Sequence, residues 1–286
     1  MTQNIEMTYE ERQKFIQMHL DEPLKEKCRV QKVDDILGQD EAVLKILNNL
    51  RSQNPKSMIL TGPGGTWKRD ILRTCFKEVK SSEESFFKSG EFVEYYPDKK
   101  YNDDFIRDSL FGYVFEIDFG SRKIKKIKIG LVTRANNGIL YIDNLENLTS
   151  NNILKLLDVM KSKKVYYEDR LILNVSDHVK RFLKEGFPAD FRLAVNVDDS
   201  ALLPDELLDL CEIIQFKEYD KRVLADIIKN SANKGMFYVD DEVCIKIADA
   251  AKNGEDAIGM LQHLAIKALK HGRDEITADD LKSVIF

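Results

Sequence analysis

Residues 58–69 place a lysine behind a glycine-rich turn, which is an arrangement that binds phosphate. The apolar run at 58–60 predicts a buried strand, and an apolar stripe after Arg69 predicts a helix. Strand, glycine turn, lysine and helix form the loop with the template G-x-x-x-x-G-K-[ST], which Gly62 and Lys68 fit. The candidate nucleotide-contacting residues of this loop are Gly62, Pro63, Gly64, Gly65, Thr66, Trp67, Lys68 and Arg69.

Two residues of the loop depart from that template. A glycine before the lysine lets the backbone approach a phosphate closely, but the residue here is Trp67, whose indole is expected over or inside the phosphate nest. The residue after the lysine should be a hydroxyl that ligates Mg²⁺, whereas Arg69 offers no oxygen and adds positive charge. A chance glycine turn before a helix is the alternative interpretation.

The elements that position the loop alternate between strand and helix. Further strands are predicted at 92–95, 139–142, 165–167, 192–197 and 212–216, with helices at 150–160, 178–184 and 203–210. This alternation predicts an α/β fold in which helices cover both faces of a parallel sheet. The strand at 139–142 ends in an acidic residue, Asp143.

The pattern changes after residue 216, where strands are no longer predicted. Helices are expected at 219–233, 240–252, 255–271 and 277–285. The predicted domains are therefore a helical arm at 1–24, an α/β core at 25–216 and a small all-α domain at 217–286. The arm rests on a thin apolar stripe at 15–20.

Residues 111–128 predict a hairpin with basic and apolar residues in partial alternation. Phe111-Gly112-Tyr113 precedes the sequence Arg-Lys-Ile-Lys-Lys-Ile-Lys at 122–128. Alternation with period two is typical of a strand with one solvated face. An edge hairpin kept soluble by its lysines is the favoured interpretation. A loop that contacts polypeptide or nucleic acid is the alternative.

Composition limits the class of protein and its partners. The 286 residues are 43% hydrophobic and 33% charged, as in soluble globular proteins, and the net charge of −5 argues against a general nucleic-acid binder. The four cysteines are far apart, which indicates reduced thiols. We expect a cytoplasmic protein because neither a signal peptide nor a membrane span is evident.

These motifs in this order resemble the AAA+ ATPase family, and among its members the ATPase modules of Lon-type (LonB-like) proteases. Residues 62–69 stand at the Walker A motif and 139–144 at Walker B, while 134–138 and 187–193 look specifically Lon-like. Ile36 and Leu37 resemble the segment beside the adenine, and residues 254–257 the helical lid that carries sensor 2. The chain ends where a Lon-type protease domain begins in that family, so no protease is expected.

The resemblance also implies that catalytic parts are missing. Walker B of an active module ends in Asp-Glu; Asp143 keeps the magnesium position, but Asn144 cannot act as the base and Glu146 is not expected to replace it. The arginine-finger segment, 207–210, contains no arginine. Acidic Glu255 or Asp256 stands at the sensor 2 arginine. Asn196 keeps the sensor 1 position.

The resulting expectation is a catalytically degenerate AAA+ module that acts as a scaffold, adaptor or regulatory subunit. It requires no cofactor, although ATP or ADP with Mg²⁺ can be held weakly, with Asp143 as the metal ligand. In an empty site Asp143 would be a lone carboxylate, which Arg69 or Lys68 is expected to neutralise. The expected partner is a protein, either an active AAA+ relative or further copies of the chain; nucleic acid is not expected.

Two alternatives remain open. One is an active ATPase that remodels protein substrates, with Phe111 and Tyr113 as pore-facing aromatics. The other is a DNA-associated subunit similar to those of clamp loaders, supported only by the lysines at 123–128.

Overall fold

A computed structural model describes residues 29–118, 120, 123–167, 177–197 and 203–281. The chain forms two compact units. The sheet unit comprises Glu41–Gly62 and Ile71–Phe216, and the helical unit comprises Pro63–Asp70 with the described residues of Met1–Asp40 and Lys217–Phe286. The phosphate-loop segment therefore groups with the helical unit. The predicted N-terminal helix lies outside the described residues.

The described elements follow one another as listed here. The strands are β1 (Ser57–Thr61), β2 (Phe92–Tyr95), β3 (Gly112–Asp118), β4 (Lys123–Ile129), β5 (Ile139–Asp143), β6 (Lys164–Val165), β7 (Phe187–Pro188), β8 (Arg192–Asn196), β9 (Cys211–Gln215), β10 (Tyr238–Val239) and β11 (Glu275–Ile276). The helices are α1 (Asp40–Leu50), α2 (Lys68–Lys80), α3 (Asp103–Phe111), α4 (Leu131–Arg134), α5 (Ser150–Ser162), α6 (Asp177–Glu185), α7 (Asp205–Leu210), α8 (Lys221–Lys234), α9 (Asp241–Ala250), α10 (Gly254–Lys270) and α11 (Ala278–Leu281).

A five-stranded parallel sheet forms the centre of the sheet unit. Its strand order is β2-β5-β8-β1-β9, and each neighbouring pair is parallel. All five residues of β1 are buried, as are the first four of β5 and β8, because helices flank the sheet. The predicted fold class, a parallel sheet covered by helices and followed by a helical region, is confirmed.

Two short elements of the sheet unit differ from prediction. Helix α3 was not predicted because its segment is polar; Asn102 caps it by accepting a hydrogen bond from the backbone N–H of Phe105 at 2.7 Å. The strand predicted at 165–167 is only β6, and it pairs with β7 rather than with the central sheet. A two-residue pairing leaves too weak an alternation to be read from sequence.

The hairpin predicted at 111–128 is present as β3 and β4. The strands are antiparallel and in register from the Gly112–Ile129 pair to the Asp118–Lys123 pair. Gly112 is in the left-handed region with φ 80°, and a Cβ there would lie 2.2 Å from the carbonyl oxygen of Lys128. The base of the hairpin therefore requires glycine.

Helices α8 to α10 pack around an apolar core in the helical unit, with Leu224, Ile228, Ile247 and Leu261 among its buried side chains. The prediction that no strand follows residue 216 is wrong, because β10 and β11 form a two-residue parallel pair. That pairing joins segments that only the tertiary fold brings together. None of the helices in the described residues is both long and apolar enough to cross a bilayer.

Candidate nucleotide site

The backbone of the candidate loop takes up left-handed angles at two positions, one of which is a template glycine. Gly65 has φ 74°, and Trp67, at the template glycine before the lysine, has φ 54°. A non-glycine residue in this region carries a steric penalty of roughly 1–2 kcal/mol, larger than a glycine would carry. The loop thus keeps the conformation that a glycine would favour, although tryptophan occupies it.

Lys68 is buried and its ammonium lies inside the loop. It donates a hydrogen bond to the carbonyl oxygen of Pro63 at 2.8 Å, and the hydroxyl of Thr66 donates to the same oxygen at 2.9 Å. Both side chains therefore converge on one backbone acceptor. A phosphate held in this loop would compete with that carbonyl for the ammonium.

The ring of Trp67 packs on residues of the helical unit. Its centroid lies 5.4 Å from that of Tyr219, with the planes tilted by 47°. A Cβ on Gly254 would lie 2.5 Å from its Cη2 atom, so the ring occupies the space of a side chain at the first residue of α10. Trp67 is partly buried and packs against the apolar core around α8 to α10. Its predicted location in the phosphate volume stays a prediction.

Asn253 makes the complementary contact with the loop. A Cβ on Gly65 would lie 2.6 Å from both Cγ and Oδ1 of Asn253. The same Oδ1 accepts a hydrogen bond from the backbone N–H of Asp256 at 2.9 Å and caps α10. Two glycines, Gly65 in the loop and Gly254 in the helix, therefore let the two segments interlock.

Glu255 and Asp256, predicted at the sensor 2 position, occupy the first turn of α10. The carboxylate of Asp256 accepts a hydrogen bond from the backbone N–H of Lys252 at 2.9 Å, while its own backbone N–H donates to the side chain of Asn253. Glu255 is exposed. Carboxylates in the first turn of a helix interact favourably with the positive end of the helix dipole, so these residues stabilise the start of α10.

A small cleft remains beside the loop. It measures about 190 Å³ and is lined by Pro63, Gly64 and Thr66, by the start of α8 and by residues 252–254. Lys221 borders it, but its ammonium donates to the carbonyl oxygens of Ala248 at 2.7 Å and Ala251 at 3.0 Å at the end of α9. Pockets for drug-sized ligands measure roughly 300–1,000 Å³, so this cleft alone is smaller than a nucleotide needs.

The segment predicted beside the adenine is attached to the start of the helical region. Ile36 is buried and Leu37 is partly buried. The carboxamide of Gln39 donates to the carbonyl oxygen of Lys217 at 2.7 Å and accepts the backbone N–H of the same residue at 3.2 Å. Burial raises the pKa of neighbouring Tyr219 far above its usual value, so its hydroxyl is neutral and donates to the carbonyl oxygen of Thr66 at 3.3 Å.

Asp143, Asn144 and Asn196 meet at the carboxyl ends of β5 and β8. Asp143 and Asn196 are register partners, and the amide of Asn196 donates to Oδ1 of Asp143 at 2.9 Å. The backbone N–H of Asn144 donates to the same oxygen at 3.2 Å. The expectation that Asp143 is a lone carboxylate is therefore wrong, because Oδ1 accepts hydrogen bonds from Asn196 and Asn144. Its pairing with Arg69 or Lys68 remains a prediction.

Asn144 and the side-chain oxygen of Asn196 have unusual environments. Asn144 is in the left-handed region with φ 53° and ψ 54°, a conformation that asparagine tolerates better than most residues. Within the described residues, the buried Oδ1 of Asn196 has no hydrogen-bond partner. An unsatisfied buried acceptor of this kind fits a water or a ligand donor at the strand ends.

The residues present fit a magnesium nucleotide only in part. The loop backbone and Lys68 are groups that hold phosphate. Arg69, where the metal-binding hydroxyl is expected, directs its guanidinium to the carboxylate of Asp70 at 3.2 Å. Within the described parts of the chain, no three carboxylate, histidine or cysteine side chains cluster as a metal site. Asp143 is the remaining candidate ligand.

Comparison with known proteins places this geometry in a family. The model of the Sigma-54 interaction domain matches residues 36–168. Lon protease 2 of Bacillus subtilis is 29% identical over 292 residues, covering 96% of this chain and 52% of that protein. The chain has the fold of AAA+ ATPase modules and is similar to them in sequence. The resemblance to AAA+ and Lon-type modules is thus confirmed.

Further relatives of this AAA+ module agree on the fold. The replication factor C large subunit of Archaeoglobus fulgidus is 24% identical, over 90% of this chain and 46% of that protein. A Thermotoga maritima RuvB structure, titled a Holliday junction branch migration motor, has TM-score 0.62 and 16% identity over 91% and 72% of the two chains. NtrX from Brucella abortus in complex with ADP has TM-score 0.60 and 16% identity over 86% and 53%. The AAA+ module spans about half the length of the curated relatives it matches.

The AAA+ loop has partners that sequence reasoning missed. Tyr219, Asn253 and Gly254 touch the loop, and none was predicted there. The Asn-Gly pair with Asp256 at the third helical position indicates a helix cap in the sequence. The contact between Asn253 and Gly65 cannot be predicted from sequence. Helix α7 occupies the predicted finger segment, and its residue Leu207 is buried.

Proposed function

We propose that this AAA+ module is a pseudo-ATPase that serves as a scaffold, adaptor or regulatory subunit through protein contacts, with nucleotide binding weak or absent. The observation that carries the proposal is the packing of Trp67 on Gly254 and Tyr219 from a left-handed backbone position. A side chain at this position packs the loop against Gly254 and Tyr219 without nucleotide.

The physical argument concerns the space around the loop. A phosphate nest works because successive N–H groups are uncovered and the backbone can approach the anion. An indole at the template glycine is the largest possible obstruction, and the cleft beside the loop measures only about 190 Å³. Lys68 already donates to the carbonyl of Pro63, so an incoming phosphate must also displace that bond.

The remaining departures act on separate parts of the chemistry. Asn144 has no basic carboxylate to accept a proton from water. Arg69 has no hydroxyl for Mg²⁺, and residues 207–210 contain no arginine for a neighbouring site. With Trp67 in the loop and an acidic residue at the sensor 2 position, these make five changes. Together they support loss of turnover more strongly than any one of them does.

Relatives define what the module is measured against. NtrX is titled a complex with ADP, so ADP and ATP with Mg²⁺ are the ligands to test here. We infer an arm at 1–24, a core at 25–216 and a lid at 217–286, operating in the cytoplasm. The proposed partner is an active AAA+ relative or a second copy of the chain.

Calorimetric titration with ATP and ADP, with and without Mg²⁺, tests the proposal, followed by phosphate release on the same sample. Trp67 is the only tryptophan, so its fluorescence reports ligand at the loop directly. We expect little or no heat, an unchanged spectrum and no phosphate release. Turnover that Lys68→Ala abolishes would overturn the proposal and restore an ATPase.

A restored variant separates obstruction from other causes. Trp67→Gly with Arg69→Thr reopens the template and is expected to bind ATP more tightly than the parent chain, still without turnover because Asn144 is unchanged. Adding Lys68→Ala to the restored variant is the control and should remove the gained binding. Failure of the restored variant to bind, with its fold intact, would show that Trp67 is not the obstruction.

A second candidate is a DNA-associated subunit, favoured by the match to replication factor C large subunits. This candidate predicts affinity for primed or duplex DNA. A band-shift assay with duplex DNA distinguishes it, since the scaffold proposal predicts no shift.

A further inference from the structure

One face of the β3–β4 hairpin carries aromatic rings and lysines without acidic residues. Residues directly opposite in an antiparallel pair share a face. The register pairs Tyr113 with Lys128 and Phe115 with Lys126. The next pair on this face, Ile117 with Ile124, is apolar. We call these residues the aromatic–lysine face.

The acidic residues of the hairpin lie on its opposite face. Glu116 and Asp118 are in register with Lys125 and Lys123, so each carboxylate residue stands opposite a basic one. The register thus places both acidic residues of the hairpin on the face away from Tyr113 and Phe115. The hairpin is therefore locally basic on one side although the whole chain carries −5.

The geometry of the aromatic–lysine face presents rings beside ammonium groups. The rings of Tyr113 and Phe115 are 5.8 Å apart and tilted by 55°, and both side chains are partly exposed. The ammonium of Lys128 lies 5.6 Å from the centre of the Tyr113 ring. Lys126 and Lys128 are exposed, and the register places each opposite an aromatic residue.

The base of the hairpin is tightly held. A Cβ on Gly130 would lie 2.4 Å from the backbone nitrogen of Gly112, and the hydroxyl of Tyr167 donates to the carbonyl oxygen of Phe111 at 3.1 Å. The two strands therefore start from a closely packed base. A fixed base presents the rings and lysines in one arrangement, which lowers the entropy lost on binding.

We propose that the aromatic–lysine face binds single-stranded nucleic acid. Unpaired bases expose π-faces that stack on aromatic side chains, and the backbone phosphates pair with lysines beside them. An acidic polypeptide would use the ammonium groups but has no flat partner for both rings. A duplex keeps its bases stacked and also leaves the rings unused. The proposal goes beyond the scaffold function and does not depend on it.

Fluorescence anisotropy of labelled oligo-dT and oligo-rU with the full chain tests this inference. Binding is expected to weaken between about 50 and 200 mM salt, as for any phosphate-directed interaction. Phe115→Leu keeps the apolar bulk and removes the stacking surface, so affinity should fall by about 5-fold to 150-fold. Lys126→Gln with Lys128→Gln should reduce the salt-dependence slope by about 1.4.

Two controls make the outcome decisive. Lys88→Gln with Lys99→Gln removes the same charge from exposed positions elsewhere in the sheet unit and should leave affinity unchanged. A poly-glutamate peptide should compete poorly with the oligonucleotide. No binding at low salt, equal loss in both lysine pairs, or equal competition by the peptide would each overturn the proposal. Thermal unfolding of every variant ensures that a loss of binding is not a loss of fold.

Discussion

The ring of Trp67 occupies the space that a side chain on Gly254 would take, with Cη2 only 2.5 Å from that position. These residues lie far apart in sequence, one in the candidate loop and one at the start of α10. The large side chain of Trp67 therefore fits against Gly254 because glycine has no side chain.

Gly254→Ala should displace the indole and lower stability. The added methyl would also lie 2.6 Å from the carbonyl oxygen of Gly65. Overpacking of this kind typically reduces the free energy of unfolding by about 1–3 kcal/mol. Urea unfolding gives that value, and a red shift of tryptophan emission shows the displaced ring.

In the same helix Gly259→Ala is the control, because its added methyl meets no atom within 4 Å, and it should stabilise the protein by up to about 1 kcal/mol. Equal effects at both positions would contradict the contact.

Gly65→Ala should destabilise the protein far more than Gly64→Ala. Gly65 has φ 74° and faces Asn253, whereas a Cβ on Gly64 would meet nothing within 4 Å. The left-handed backbone contributes about 1–2 kcal/mol of the expected loss, and disturbance of the Asn253 cap about 1 kcal/mol more. Gly64→Ala should stay within about 0.5 kcal/mol of the parent. Thermal unfolding of Gly65→Ala, of Asn253→Gly and of the double variant measures the coupling between the two positions. That coupling vanishes if the two residues do not touch.

At position 67 glycine should be better tolerated than alanine. Both substitutions lose the burial of the ring, about 1–3 kcal/mol. Alanine also carries the left-handed penalty of about 1–2 kcal/mol, which glycine avoids. The order is the reverse of that in helices, and chemical unfolding followed by circular dichroism tests it. An alanine variant at least as stable as the glycine variant would show that φ at this position is not left-handed in solution.

Asp280→Asn should remove a charged anchor from the end of the helical unit. The guanidinium of Arg273 donates to this buried carboxylate at 2.8 and 3.0 Å, and Thr277 donates through its N–H and hydroxyl. These donors hold the pKa of Asp280 well below its ordinary value. Because the folded pKa is the lower one, the stabilisation is complete above the unfolded pKa and is lost as pH falls into the acid range.

Asp280→Asn is expected to lower the free energy of unfolding by about 2–3 kcal/mol near pH 7, and this difference should shrink below about pH 4. Unfolding experiments across this pH range measure it. Glu242→Gln, which removes an exposed pair with Lys246, is the control and should leave stability nearly unchanged, because solvent screens that pair. A pH-independent loss at Asp280 would rule out the ionised carboxylate as its cause.

The parallel sheet was predictable because its strands are nearly continuous apolar runs between helices. The approach of Asp143 to Asn196 follows from that prediction, since carboxyl ends of neighbouring parallel strands meet. The contacts of Trp67 were not predictable, because hydrophobic periodicity describes neighbours along one element and not pairs separated by most of the chain. Helix α3 was missed for a local reason, the cap at Asn102 inside a polar stretch.

The interlock of the loop with α10 sets an order of events during synthesis. The sheet unit has all of its residues once Phe216 has been made, but Trp67 must wait for Gly254. At ordinary translation rates, roughly 10–40 s pass between the synthesis of Trp67 and that of Gly254. During this time the indole has no native surface to cover it. A nascent chain of this protein thus offers chaperones a tryptophan ring that is partly covered in the finished protein.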